Sequence, residues 1–319
     1  MRIFFIIIAA GLAALAGCQK RLAVDPVGSF GVTADSAAYH AGSIATFTFS
    51  GNPDIITFYS GELGHRYTYR SRIDAAGTPK LQFTSALNAG AQPNSLLLLV
   101  STDFKGVVVG DTVTTKTNMS TATWTDITSR ATLATGATAV ASGAIDLSDI
   151  AAGGKPIYIA FKYLATAGSI QNKWTITGLS VTNSLPDNTV YTIANLAASN
   201  TPITSNYAGV NTFSPGWVTY TVSNTYAWTV TAGTSLVIAG AATVPLATAS
   251  AESWTFVGPV DLQKVTPDVG VPIKLITATL PSYQYAYSTT GSYNAVFFAA
   301  NATASRMDSV TRTVGITVK

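Results

Sequence analysis

Apolar and polar positions alternate along most of this chain with a period of two, the mark of half-buried β-strands rather than helices. The strongest run is GKPIYIAFKY at 154–163. Before it come PKLQFTS, SLLLLVS, KGVVVG, TATWTDI and SGAIDLS, each bounded by turn residues, at intervals of roughly ten residues. VYTIANL, PGWVTYTVS, YAWTVTAGTSLVIAGA and ESWTFVGPVDL continue the series. Near the start, SIATFTFSG predicts a strand with Ile44, Phe47 and Phe49 facing the core and a shift near Ala45. After the turn at Pro53-Asp54 comes IITFYSG, then GHRYTYRSR. The latter reads as a strand with His65, Tyr67 and Tyr69 on one face and Arg66, Thr68 and Arg70 on the other. Val310, Val314, Ile316 and Val318 mark a last strand. No segment predicts a long helix, so the expected fold class is all-β.

Composition agrees. Charged residues make up only 10% of the 319 and apolar residues 47%, in a background of Thr, Ala, Ser and Gly that suits pleated surfaces. The length allows two domains. The net charge of +3 is spread out, without a polybasic patch, so nucleic acid is not an expected partner.

Met1-Arg2 and the apolar run IFFIIIAAGLAALAG form a secretion signal, too short for a membrane span. The run ends in Leu15-Ala16-Gly17-Cys18, which resembles the bacterial lipobox. That resemblance implies cleavage after residue 17 and acylation of Cys18, the only cysteine in the chain. Residues 18–27 would then tether the protein to a lipid bilayer without crossing it. Gln19-Lys20-Arg21 replace the acidic run that many surface-exported lipoproteins carry here, and Asp25 is the first acid. The expected location is the outer membrane, on the cell surface or on the periplasmic face.

AGSIATFTFSG resembles the first half of a polycystic-kidney-disease (PKD) or immunoglobulin-like domain. Tyr283, Tyr285 and Tyr287, then Gly291, Tyr293, Ala295 and Phe297, resemble its last strands. Residues 28–74 and 265–319 are therefore expected to form one discontinuous PKD/Ig-like sandwich. Either end alone would bury too little apolar surface. Residues 75–264 would be an inserted jelly-roll-like β-sandwich, in the manner of carbohydrate-binding modules. Whether 184–262 belongs to that sandwich or forms a separate sheet is left open by the pattern.

Candidate chemistry is sparse. The only histidines are His40 and His65, and no Cys follows Cys18, which excludes Cys/His zinc sites and Cys–His nucleophiles. The only glutamates, Glu62 and Glu252, sit in turn-like contexts. The pairs Asp146/Asp149 and Asp103/Asp126 read as turn caps before they read as catalytic carboxylates. The chain is not expected to be an enzyme. Asp103 and Asp126 are the candidate ligands of a structural calcium ion, raised because jelly-roll carbohydrate modules often hold one. Trp124, Trp174 and Trp254 alternate with apolar neighbours and read as core. Trp217, Tyr220, Tyr226 and Trp228, in a Thr/Ser/Asn-rich stretch after Pro215-Gly216, are the candidate exposed rings for stacking on sugars. Arg66, Arg70 and Arg72 are a candidate face for an acidic sugar or sulfate. Asp35-Ser36-Ala37, Asp111-Thr112-Val113 and Asp308-Ser309-Val310 resemble acceptor tripeptides for O-linked glycans.

The chain as a whole resembles an uncharacterised lipoprotein family encoded beside starch-utilisation-type outer-membrane glycan-import pairs. The resemblance is carried by LAGC, FTFSGNPDIITFYSGELGHRYTYRSR, LLVSTDF, WTDIT, IDLSDIAAGGKPIYIAFKY and GSYNAVFFAAN. It implies a non-catalytic cell-envelope lipoprotein that binds extracellular polysaccharide or oligosaccharide beside outer-membrane import proteins. The alternative is a structural or adhesion lipoprotein whose sandwiches contact other proteins.

Overall fold

The computed structural model describes residues 24–196, 201–204 and 211–319, with 201–204 and 211–214 described as backbone strands only. In chain order the first strands are β1 (Gly31–Ala34), β2 (Ala38–Tyr39), β3 (Ile44–Ser50) and β4 (Ile55–Tyr59). Then come β5 (Thr78–Ala89), β6 (Leu96–Ser101), β7 (Thr125–Asp126), β8 (Val140–Ala141), β9 (Ile145–Asp146), β10 (Ile157–Ala165), β11 (Lys173–Ser184) and β12 (Val190–Asn195). The next are β13 (Thr201–Thr204), β14 (Asn211–Ser214), β15 (Trp217–Ser223), β16 (Thr229–Thr231), β17 (Ser235–Ala239) and β18 (Ala251–Val260). The last are β19 (Val271–Lys274), β20 (Ser282–Ala286), β21 (Gly291–Ala302) and β22 (Met307–Val318). The fold is an all-β sandwich architecture, as the alternation predicts. No helix among the described residues is long and apolar enough to cross a membrane.

The chain divides into two compact units. Unit 1 runs from the first described residues through Arg70 and resumes from Asp268 onward. One of its sheets has the order β1-β3-β20, the other β19-β4-β21-β22-β2. Phe47 from β3, Phe58 from β4 and Phe297 from β21 meet between them, with the Phe47 and Phe297 ring centres 5.0 Å apart. Ala45 and Phe47 point inward and Ile44 is 56% exposed, so β3 alternates without interruption. This corrects the expected inward Ile44 and the expected shift at Ala45. Tyr67–Tyr69 form a 3₁₀ turn instead of a strand, and the supposed two faces of GHRYTYRSR do not exist. Arg70 lies 3.9 Å over the Tyr67 ring and Arg66 lies 4.5 Å over the Tyr69 ring, so cation–π contacts replace the alternation.

Unit 2 runs from Ser71 to Pro267. Its first sheet has the order β15-β18-β10-β6-β7; its second has β16-β17-β11-β5-β8, with β12 also on β11 and β9 also on β5. Strands from 184–262 thus enter both sheets, which answers the question the sequence pattern leaves open. Alternate residues of β10, Ile157, Ile159, Phe161 and Tyr163, are fully buried between the sheets. Phe161 meets Phe83 edge-on at 5.1 Å. Val107–Val109, expected as part of a strand, lie in a loop leading to a ten-residue helix, α1 (Thr112–Thr121). Asp111 caps α1: its Oδ1 accepts the Thr114 N–H at 2.9 Å and its Oδ2 the Thr114 hydroxyl at 2.6 Å. Thr115 and Met119, four apart, are the buried residues of α1.

Candidate functional site

The side chains of β10 that do not enter the core, Tyr158, Ala160, Lys162 and Leu164, face the other way. Antiparallel register places Lys162 opposite Leu97 of β6 and Trp254 of β18, and places Trp254 opposite Tyr220 of β15. Tyr220, Trp254, Lys162 and Leu97 therefore form one row across four strands. The next row, Phe256, Ala160 and Leu99, is packed with Phe104 and with Met119 of α1.

In the first row Tyr220, Lys162 and Leu97 are half-buried, whereas the Trp254 ring beneath Lys162 is only 5% exposed. Lys162 Nζ lies 4.9 Å over the Trp254 ring and 3.2 Å from Glu252 Oε1. The same Oε1 accepts the Trp254 indole N–H at 2.7 Å. The Lys162 and Glu252 side chains are 22% and 29% exposed, so the pair is fixed yet reachable. Half-buried Trp124 leans on Trp254 with ring centres 5.1 Å apart, and its indole N–H donates to the Met119 carbonyl at 3.1 Å. The C-terminal turn of α1 thereby holds the ring in place. The result is two half-buried rings, Trp124 and Tyr220, beside an ammonium–carboxylate pair oriented over buried Trp254, with the indole N–H groups already satisfied.

Two of the four rings expected to be exposed are buried. Trp217 is 9% exposed and Trp228 4%. Both lie within about 6 Å of the Phe161 ring, at 6.1 and 6.2 Å. Their N–H groups donate to the Asn195 carbonyl at 2.9 Å and the Ser253 carbonyl at 3.2 Å. The reason is topological: β15 and β16 are edge strands of the two sheets, and large rings there close the open side of the core. Tyr226 is half-buried against the same core. Tyr220 alone of the four reaches the outer row, and its hydroxyl donates to the Thr112 carbonyl at 3.1 Å. Beside these rings a cleft of about 560 Å³ opens between β15, Trp228 and the loop 107–110. Valines dominate its lining, and Val109 is 91% exposed.

Residues 17–201 match the family model of a domain of unknown function, DUF5017. The chain belongs to the DUF5017 family. Trp124 and Lys162 fall inside the matched stretch, whereas Tyr220, Glu252 and Trp254 lie beyond it. No curated protein and no solved structure matches the chain.

The carboxylates of this DUF5017 chain are occupied locally. Asp103 Oδ1 accepts the Ser101 hydroxyl and the Thr123 N–H, both at 2.8 Å, and these bonds hold its carboxyl below the usual range. Asp126 accepts the Thr128 N–H at 2.8 Å. No three His, Cys, Asp or Glu side chains among the described residues converge to hold a metal. Asp103 thus ties the loop after β6 to Thr123, and Asp126 caps the turn at Thr128. Asp149 forms a two-pronged pair with Arg130, at 2.8 and 2.7 Å, which lowers its carboxyl pKa. Asp146 caps the turn at Ser148. Glu62 sits in unit 1, where it accepts from Ser60 and Tyr285.

Each of the three arginines has its own partner. The Arg66 Nε donates to buried Asp268 at 2.9 Å in unit 1, Arg70 lies over Tyr67, and Arg72 of unit 2 donates to the Tyr191 hydroxyl at 3.1 Å. The hydroxyl-bearing Ser36, Thr112 and Ser309 of the three tripeptides are exposed. Cys18 lies outside the described residues. The sequence pattern places Trp254 in the core, where it is, at 5% exposure; it also places Trp124 there, which is half-buried, and it passes over Lys162 and Glu252. The available signal was a lysine in the middle of IYIAFKY, where a strand buried on both faces has no place for a charge.

Proposed function

We propose that this chain is a non-catalytic cell-envelope lipoprotein, anchored in the outer membrane through acylated Cys18, whose unit 2 captures polysaccharide for a glycan-import system. The row Tyr220–Trp254–Lys162, with Trp124 and Glu252 beside it, carries the reading. A pyranose has an apolar face and a rim of hydroxyls. The half-buried rings of Trp124 and Tyr220 take the face, and the ammonium and carboxylate of Lys162 and Glu252, fixed over buried Trp254, take the hydroxyls. The import partner and the membrane address rest on the lipobox-like motif and on the family resemblance.

The test is an affinity-gel screen of the chain from Arg21 onward against neutral and acidic polysaccharides. Retention by one class, lost in Trp124→Ala and in Lys162→Ala, supports the reading.

A second reading, a protein-contact module, is favoured by one observation. The valine-lined cleft runs beside the edge strand β15, and exposed Val108, Val109 and Val218 line it. An extended segment of another protein could add to such an edge. If the folded chain retains no polysaccharide, while a photoreactive residue at position 109 cross-links an envelope protein in cells, this reading replaces the first.

A further inference from the structure

The start of the described chain is pinned to one rim of unit 1. Asn301 Nδ2 donates to the Asp25 carbonyl at 2.9 Å, and the Val27 N–H donates to Asp308 Oδ2 at 2.8 Å. Arg312 donates to the carbonyls of Phe30 at 2.7 Å and Gly28 at 2.9 Å. The path leading back to Cys18 therefore emerges beside the turn between β21 and β22. The seven residues from Cys18 to Val24 span at most about 25 Å fully extended.

The same rim carries exposed apolar side chains. Register aligns Lys274, the end of β19, with Ile56 near the start of β4, and aligns Ile55 with Ala300 near the end of β21. Leu275 and Ile276, just past β19, are 62% and 66% exposed, and Met307, at the start of β22, is 63% exposed. Lys274 itself is buried, and its ammonium donates to the carbonyls of Pro53 and Asp54, which fixes the base of the 275–276 loop. At about 4.8 Å per strand, the loop and Met307 stand about 14 Å apart across the sheet order β19-β4-β21-β22. Points so spaced suit an extended surface better than a small ligand. Arg306, in the turn just before Met307, is exposed, and Lys20 and Arg21 lie in the tether; Asp25, Asp54 and Asp308 stand on the same rim, so the apolar side chains rather than net charge carry the contact.

We propose that this rim, through Leu275, Ile276 and Met307, docks on the lipid surface to which Cys18 is anchored. The proposal rests on acylation of Cys18. A tether this short keeps the rim at high effective concentration near the bilayer, so a few shallow side chains suffice to orient the unit.

Because Cys18 is the only cysteine, a thiol placed elsewhere in the acylated protein is the only free one. Ile276→Cys, Met307→Cys and Ser288→Cys would each be labelled with a fluorophore in the full acylated chain. Ser288 is exposed and follows β20, whose Ala286 pairs with Ile44 at the opposite end of β3. The labelled proteins are then placed in vesicles of phosphatidylcholine and phosphatidylglycerol. The expected result is iodide quenching several-fold weaker at 276 and 307 than at 288; equal quenching at all three overturns the docking. The mass of the mature N-terminus tests acylation separately. If Cys18 is unmodified, the anchor reading falls. The same labels on the chain from Gln19, held by a hexahistidine tag on nickel-chelating lipid, then decide the docking by the same ratio.

Discussion

At the scale of single residues, burial decides roles that sequence pattern leaves open. Trp217 and Trp228 follow a turn in a polar stretch, which suggests exposure, yet their rings complete the core around Phe161. Pattern reports which way a strand residue points only when its neighbours alternate cleanly, and at edge strands that signal fades. Lys162 shows the converse: its place in an apolar run was legible, but its partners Glu252 and Trp254 lie about ninety residues on and meet it only through the register of β10 with β18. The tyrosines of unit 1 give a prediction at this scale. Burial, then the hydrogen bond to Glu62, pushes Tyr285 up to about 12 from 10.0, and burial also raises Tyr287. The native state holds these phenolic protons more tightly than the unfolded chain does. Their contribution to stability is intact below pH 10 and is lost as pH rises through 12. Denaturant melts at increasing pH should show stability falling in that window, with a shallower fall in Tyr285→Phe. A fall of equal steepness in the variant would contradict the assignment.

At the scale of elements, the strands were legible and the ten-residue helix α1 was not. Period-two alternation marks β3, β5 and much of β10, where every second residue is buried or nearly so. Helix α1 reads TVTTKTNMST, rich in β-branched residues that disfavour helix, and it has no apolar stripe beyond Thr115 and Met119. Its cap was the only local signal, and Asp111-Thr112-Val113 drew attention for another reason. Because α1 holds Trp124 through the Met119 carbonyl and takes the Tyr220 hydroxyl at Thr112, its cap matters to the candidate face. Asp111→Ala should speed amide exchange at Thr114 and Thr115, while Asp111→Asn should largely preserve their protection. Unchanged exchange in Asp111→Ala would show that packing alone holds the first turn.

At the scale of the whole molecule, each unit has its own aromatic core: Phe47, Phe58 and Phe297 in unit 1, Phe83, Phe161 and Tyr163 in unit 2. Truncating a fully buried Phe costs about 3–5 kcal/mol. In calorimetry, Phe297→Ala should lower the transition belonging to unit 1 and leave that of unit 2 in place, and Phe161→Ala should do the reverse. A single transition shifted equally by both variants would contradict two separate cores. The all-β class was readable because alternation is local. The order of strands across each sheet was not, since it depends on pairings far apart in the chain, such as β10 with β18.

The central claim is that polysaccharide binds on the outer face of the five-stranded sheet of unit 2. Its most direct test is titration calorimetry with a retained polysaccharide, comparing the native chain, Trp124→Ala, Lys162→Ala and Val109→Ser, each shown to be folded by a cooperative melt. The account predicts binding weakened about tenfold or more by the first two substitutions, a loss of about 1.4 kcal/mol or more, and unchanged by the third. Binding lost in Val109→Ser but retained in Trp124→Ala and Lys162→Ala would contradict it and move the site to the valine-lined cleft.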